Sequence, residues 1–286
     1  MFWFSVTLTL AAIFALFMFG LDLGVDFRGG SVIEIGFSDS DNRPALNSIK
    51  DVLTAAGLTD ATVNYTGDGG ALIRTRELSE DEHQNVLAVL KNGLSGLEEK
   101  RFDSIGPVIG NELKNKSITA ILLVLASVII YIALVFRKLS KTLSPWVMGF
   151  AAIAALLHDV VVPLGVFAVL GNLYGVEISA VFVAAALTIL GYSVADTVVV
   201  FDRVRENIIR GVAGSLPEIA HKSILQTLTR SLNTTFTTLL PLFAIYFLGG
   251  ESIRYFALAL IMGIFLGAYS SIFVASPLLV WWSRKK

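Results

Sequence analysis

Six long apolar runs, separated by short polar loops and by one polar insert over residues 21–117, set the plan of this chain. Residues 1–20 carry no charge and, at about 1.5 Å per helical residue, reach across a hydrocarbon core of ~30 Å. The other runs cover residues 118–136, 145–170, 178–201, 226–248 and 255–280. Each predicts a membrane-spanning helix, with both termini on one side. The first run lacks a basic leader and a small-residue cleavage pattern, so it reads as a retained helix and not a signal peptide. Its abrupt beginning predicts a short cytoplasmic lead ahead of it.

Inside the insert the period changes. SVIEIGF at 31–37 alternates as a half-buried strand does, and Leu46, Ile49 and Leu53 recur at helical spacing within 43–56. Residues 61–65 and 71–76 again read as strands, with Gly67, Gly69 and Gly70 where a hairpin needs its turn. Ser79 and Glu82 form a capping box that opens a second helix through Leu97, and a last strand fits within 98–108. The order β-α-β-β-α-β predicts a ferredoxin-like α+β domain with two helices on one face of the sheet. The Gly29–Gly30 pair is read as a tight turn or strand entry; no phosphate-loop pattern follows it.

Composition agrees with the pattern. Hydrophobic residues make up 55% of the chain and charged residues 16%, a membrane-protein balance. No basic block suggests nucleic acid, and the absence of Cys excludes disulfides and thiolate metal sites. The loop charges set an orientation. Arg137, Lys138 and Lys141 follow the second span, Arg203, Arg205, Arg210 and Lys222 follow the fourth, and Arg284, Lys285 and Lys286 end the chain. The positive-inside rule puts these loops and both termini in the cytoplasm and residues 21–117 outside. Trp3, Trp146, Trp281 and Trp282 fall near span ends, where an interfacial belt is expected. The segment 202–225, a cytoplasmic amphipathic loop, reads as an amphipathic helix, a Gly-rich turn and a second helix from about Pro217.

Charged residues inside spans are costly, roughly 2.5–3.5 kcal/mol each on insertion scales, and so point to function. Asp196 lies in the fourth span and Arg230 near the start of the fifth, at depths that allow them to pair. Ala185, Thr188, Tyr192, Ser193 and Asp196 share one helical face, with Thr197 beside it; Arg230, Asn233, Thr234, Thr237, Thr238 and Pro241 share another. Both stripes are expected to face inward, either as a polar pathway or as hydrogen-bonding glue between helices. Asp159 is a second buried carboxylate, in the third span, read either as a relay member or as a partner for backbone freed by Pro163. Its neighbour His158 is expected to point about 100° away, into a different groove, and to pack as a neutral side chain. Gly263, Gly267 and Ser271 form a small-residue face for close helix packing. Two carboxylates on different helices also raise an intramembrane aspartyl protease, which needs them close enough to share a proton.

The motifs LDLGVDFRGG, LLHDVVVPLG, LGYSVADTVVVFDRVREN and TLTRSLNTTFTTLLPL, in that order, resemble the SecF family of bacterial protein-export membrane proteins. The resemblance covers essentially the whole chain. It implies half of an RND-type transporter fold, a homologous SecD half as partner, and work beside the SecYEG channel and its accessory subunits on unfolded secretory polypeptide in the inner membrane. It further implies a transport component and no enzyme, driven by protons and without a bound cofactor; sodium coupling stays open. The family's proton-linked Asp and Arg fall on Asp196 and Arg230, and Asp159 lies in its HD motif. A stand-alone RND-type proton-coupled exporter of small molecules or lipids is the alternative.

Overall fold

A computed structural model describes residues 1–37, 43–66, 69–137 and 144–283. Gly67 of the expected turn, and Lys138, Lys141, Arg284, Lys285 and Lys286 of the charge argument, lie outside these described residues. The chain divides into two compact units, one built from residues 1–21, 118–176 and 181–286, the other from residues 22–117 with 177–180.

The second unit is the α+β domain. A short helix α2 (Val25–Arg28) precedes β1 (Gly30–Phe37); α3 (Leu46–Ala55), β2 (Thr62–Thr66), β3 (Gly70–Thr75), α4 (Glu80–Gly93) and β4 (Leu97–Ile105) follow. The strands form one antiparallel sheet in the order β2-β3-β1-β4, the ferredoxin-like arrangement expected from the element order. Alternation decides which face is covered: Ile33, Ile35, Val63 and Ile73 meet Ile49 and Leu53 of α3 and Val86 and Leu90 of α4 in one core. The Ser79–Glu82 capping box forms at the start of α4. Arg76 then pairs with Glu82 at 2.6 Å, and its hydrogen bond, followed by those from the backbone and hydroxyl of Ser79, holds the Glu82 carboxyl down to about 2.

The glycine pair is a strand entry, as expected. Gly29 has φ 77° and Gly30 φ 127°, both in the region that favours glycine. A Cβ on Gly29 would lie 2.6 Å from Cα of Pro107, and one on Gly30 would lie 2.7 Å from the Thr75 carbonyl. Both positions therefore exclude a side chain twice over, by conformation and by space. The same unit includes the 177–180 segment, where Asp26 Oδ2 accepts from the Ala180 N–H at 2.7 Å and Glu177 pairs with Arg74 at 2.6 Å. Burial pushes the Glu177 carboxyl up, against the opposing pull of Arg74.

Six helices among the described residues are long and apolar enough to cross a membrane. They are α1 (Phe2–Phe19), α5 (Pro107–Val135), α6 (Pro145–Tyr174), α7 (Ala180–Ile209), α8 (Leu216–Leu248), and a last one made of α9 (Glu251–Ser270), a π-helical turn (Ser271–Ala275) and α10 (Ser276–Ser283). Three of them run eight or more residues past the apolar spans at one end. Helix α5 begins eleven residues before Ile118, where Glu112 and Lys116 pair at 2.7 Å on its surface. The 202–225 loop is largely helix: α7 continues through it to Ile209 and α8 begins at Leu216, capped by a Ser215–Glu218 box, so only a Gly-containing turn remains between them. Backbone hydrogen bonding does not stop where apolarity does, and i, i+3 pairs such as Arg203–Glu206 and Arg205–Asp202 support the polar turns. Helix α6 sits inside the bundle: Met148, Ala151, Ala152 and Ala155 are fully buried beside Phe201, Val204 and Leu279. Trp3, Trp146 and Trp281 are exposed.

Candidate functional site

Close helix contact builds the site. A Cβ on Gly263 of α9 would overlap the Ile189 side chain of α7, and one on Gly267 would stand 3.1 Å from the Ser193 Cβ. The small-residue face thus lets α9 approach α7 closely, as the sequence predicts. Three residues after Gly267, at Ser270, the polar chemistry begins.

Asp159, on α6, is 0% exposed. Ser193 Oγ from α7 and Ser270 Oγ from α9 both donate to its Oδ2 at 2.6 Å, and His158 Nδ1 lies 2.9 Å from its Oδ1. One carboxylate therefore ties three helices together. Pro163 lacks the N–H that would bond the Asp159 carbonyl four residues earlier, so the backbone is loosened at this residue. The expectation that His158 and Asp159 occupy different grooves is corrected here. Adjacent side chains leave a helix about 100° apart, yet the His158 imidazole comes within hydrogen-bonding reach of the Asp159 carboxylate. His158 itself is 3% exposed, stacks beside Tyr269 at 6.2 Å, and leaves Nε2 without a partner. Tyr269 in turn accepts from Ser5 Oγ of α1 at 3.0 Å.

Asp196 lies one helical turn beyond Ser193 on α7 and is 8% exposed. Its partner is Ser231 of α8, whose Oγ donates to Oδ2 at 2.9 Å. The expected Asp196–Arg230 ion pair is not formed: among the described residues no ion pair joins them within 4 Å, and Arg230 is exposed. Ser231, the residue after Arg230, sits level with Asp196, while Arg230 is turned away about the helix axis. The inward face of α8 is Thr227, Ser231, Thr235, Leu239 and Leu242. Arg230, Asn233, Thr234 and Thr237 are exposed, and Thr238 is half-buried. The hydroxyls of Thr234, Thr237 and Thr238 donate to carbonyls of their own helix, at Arg230, Asn233 and Thr234. On α7, Ser193, Asp196 and Thr197 are buried, Thr188 is exposed and Tyr192 is half-buried.

Three buried hydroxyls without a partner lie on the same stretches of α7 and α8: Tyr192 OH and Thr197 Oγ1 near Asp196 in sequence, and Thr235 Oγ1 one turn past Ser231. A cleft of about 330 Å³ between α5, α7 and α8 reaches the next turn, bordered by Tyr131, Val199, Asp202, Gln226 and Arg230. The two carboxylates keep separate partners, Ser193 and Ser270 for Asp159 and Ser231 for Asp196, so no shared-proton dyad of the protease kind is present among the described residues. Among the same residues no cluster of three or more His, Asp or Glu could hold a metal ion. Ser231 and Ser270 are the site residues that sequence reasoning passed over. Ser270 carries a signal in retrospect, since it lies three residues after Gly267 on the packed face; Ser231 carries none, because its polar neighbour Arg230 draws the eye to the wrong face.

Comparison with known proteins places this architecture. The family model for the C-terminal region of the SecD/SecF protein-export membrane proteins matches residues 85–285, and the SecD/SecF GG-motif model matches residues 14–41, which contain the Gly29–Gly30 strand entry. Protein translocase subunit SecF of Thermobaculum terrenum is 44% identical over 94% of this chain and 87% of its own length. Protein translocase subunit SecDF of Brucella abortus is 38% identical over 97% of this chain, which spans 36% of that protein. The crystal structure of SecDF from Thermus thermophilus superposes with a TM-score of 0.85 at 33% identity, covering 98% of this chain and 37% of the other. The chain, a multi-pass membrane protein, belongs to the SecD/SecF family of protein-export membrane proteins and corresponds along nearly its whole length to the SecF subunits.

Proposed function

We propose that this chain is the SecF-type half of a proton-driven protein-export motor. It works with a SecD-type half beside the SecYEG channel in the inner membrane and draws secretory polypeptide outward late in translocation. The observation that carries this reading is Asp196: a carboxylate 8% exposed within a membrane span, bonded to a single hydroxyl and not to a cation. Such a group can change protonation without dismantling a salt bridge. The unpartnered hydroxyls of Tyr192 and Thr197 on the same helix, and of Thr235 one turn past Ser231, are polar groups of the kind a proton path requires. The exposed stripe of Arg230, Asn233, Thr234 and Thr237 on α8 supports a second half, because a cation and an amide in that setting call for protein and not lipid. Fusion of both halves in SecDF relatives supports the same partner.

In this reading Asp196 alternates between neutral and ionised forms, and Arg230 stabilises the ionised one. Moving one charge through the membrane potential is worth about 2.3 kcal/mol per 100 mV, so a few protons suffice to invert a two-state helix packing. The charge pattern of the loops supports termini in the cytoplasm and the α+β unit outside, where it would meet the client. The test is outward movement of a trapped export intermediate in vesicles holding the SecD-type partner and a proton gradient. Asp196→Asn and Arg230→Met should assemble normally and lose gradient-dependent movement; unchanged movement with Asp196→Asn refutes the coupling role.

A further inference from the structure

The structure holds a second titratable centre that the Asp196 reading does not use. Asp159 is wholly buried inside a membrane span, and the sole base within bonding distance among the described residues is His158, at 2.9 Å. A carboxylate in that setting needs either a proton or a cationic partner. Ser193 and Ser270 supply hydrogen bonds but no charge. The imidazole can supply the charge, because Nδ1 faces the carboxylate and Nε2 has no partner.

We propose that His158 and Asp159 form a one-proton dyad, a proton-holding site separate from Asp196, with Ser193 and Ser270 as its positioning residues. In the unloaded form the neutral imidazole donates Nδ1–H to Oδ1 and the dyad carries one negative charge. Loading adds one proton at Nε2. The result is an imidazolium–carboxylate pair, or its equivalent in which the Nδ1 proton has moved to Oδ1 and the carboxylic acid donates back to Nδ1. Both loaded forms are neutral, and both keep the His158–Asp159 bond and the two serine bonds. The proton therefore belongs to the pair.

The groups facing the dyad come from each packed element. On α7 they are Ser193 and, one turn on, Asp196; on α9 they are Ser270 and Tyr269, whose hydroxyl is tied to Ser5 of α1. Asp196 carries the one other carboxylate in this set. An unloaded dyad would put its negative charge one helical turn from Asp196, and the two sites would then repel each other's ionised forms. Ser193 and Asp196 share α7, so the state of the dyad is felt on the helix that carries the coupling carboxylate.

The test is nitrogen-15 histidine NMR of the full chain in lipid bilayers, which reads the protonation of each ring nitrogen. The His158 signals are those missing from His158→Gln, with His83 and His221 as internal references. Across a series of buffers of falling pH, Nδ1 should stay hydrogen-bonded while the ring passes to the loaded form in one step. That step should vanish in Asp159→Asn. Ser270→Ala should move the midpoint by about tenfold in proton concentration, and Ser270→Thr should restore it. A His158 ring that keeps one neutral tautomer throughout, or that titrates identically in Asp159→Asn, overturns the dyad; an unmoved midpoint in Ser270→Ala overturns the positioning role. The measurement is made without transport, so it stands or falls independently of the part Asp196 plays in export.

Discussion

Ser193 Oγ donates to Asp159 Oδ2 at 2.6 Å from a position one helical turn before Asp196, so a single turn of α7 serves both buried carboxylates of the bundle. A shift of α7 along or about its axis alters both environments at once. Asp159, bonded from α7 and α9, marks the bundle interior. Asp196, bonded from α8, marks its edge toward the exposed polar stripe.

Asp159→Leu should destabilise the chain far more than Asp159→Asn. Leucine strands Ser193, Ser270 and His158 without their acceptor, at about 1–3 kcal/mol for each buried group left unpaired, whereas asparagine keeps an acceptor oxygen. Thermal unfolding in one detergent, with helix content as the signal, measures the order.

Ser231→Ala removes the one hydroxyl on Asp196 and is expected to reduce gradient-driven export without abolishing it. Asn233→Ala, on the exposed face, should leave folding intact and act only when the partner half is present. Export rates in vesicles with and without that partner separate the two.

Gly267→Val should force α9 away from Ser193 and cost about 1–3 kcal/mol through overpacking. Gly191→Ala, where nothing lies within 4 Å, is the control and should be neutral or better, since alanine favours the helix. Melting temperatures of the two variants decide between close approach and general intolerance of change in the bundle.

In the α+β unit, Gly29→Ala and Gly30→Ala each combine a positive φ with a Cβ inside 3 Å of backbone, and a loss of about 2–4 kcal/mol is expected. Gly57→Ala shares the positive φ, at 85°, but meets open space, and should cost only about 1–2 kcal/mol. Hydrogen-exchange protection of β1 in the full chain reports the difference.

Glu82 and Glu177 predict pH effects of opposite sign. Glu82 is held at about 2 in the folded chain against about 4.3 unfolded, so its contribution is complete above about 4.3 and is lost as pH falls toward about 2. Glu177 is raised, so its contribution is present below the ordinary carboxylate range and is lost as pH rises through its folded value. Relative to Glu82→Gln, the natural chain should gain stability as pH rises across the lower window. Relative to Glu177→Gln, it should lose stability as pH rises above the ordinary range. Exchange protection of α4 and β3 against pH gives both slopes.

The sequence by itself determined six spans, the α+β insert with its order of elements, the capping box at Ser79 and the small-residue face at Gly263 and Gly267. These follow from period, length and local hydrogen bonding, which act within one element and are written in consecutive residues. It also marked Asp159 and Asp196, because a charge in an apolar run is conspicuous whatever surrounds it. Tertiary structure alone decided which groups these carboxylates meet. One residue of rotation on α8 replaces Arg230 by Ser231, and a hundred degrees is too small an angle to be judged from spacing when the neighbouring helix is unknown. The approach of α9 to α7 brings Ser270 to Asp159 across 111 positions of chain. Within the buried α6, His158 meets its own neighbour Asp159. Each of these depends on where helices cross, and crossing is set by the packing of surfaces that lie far apart in the chain.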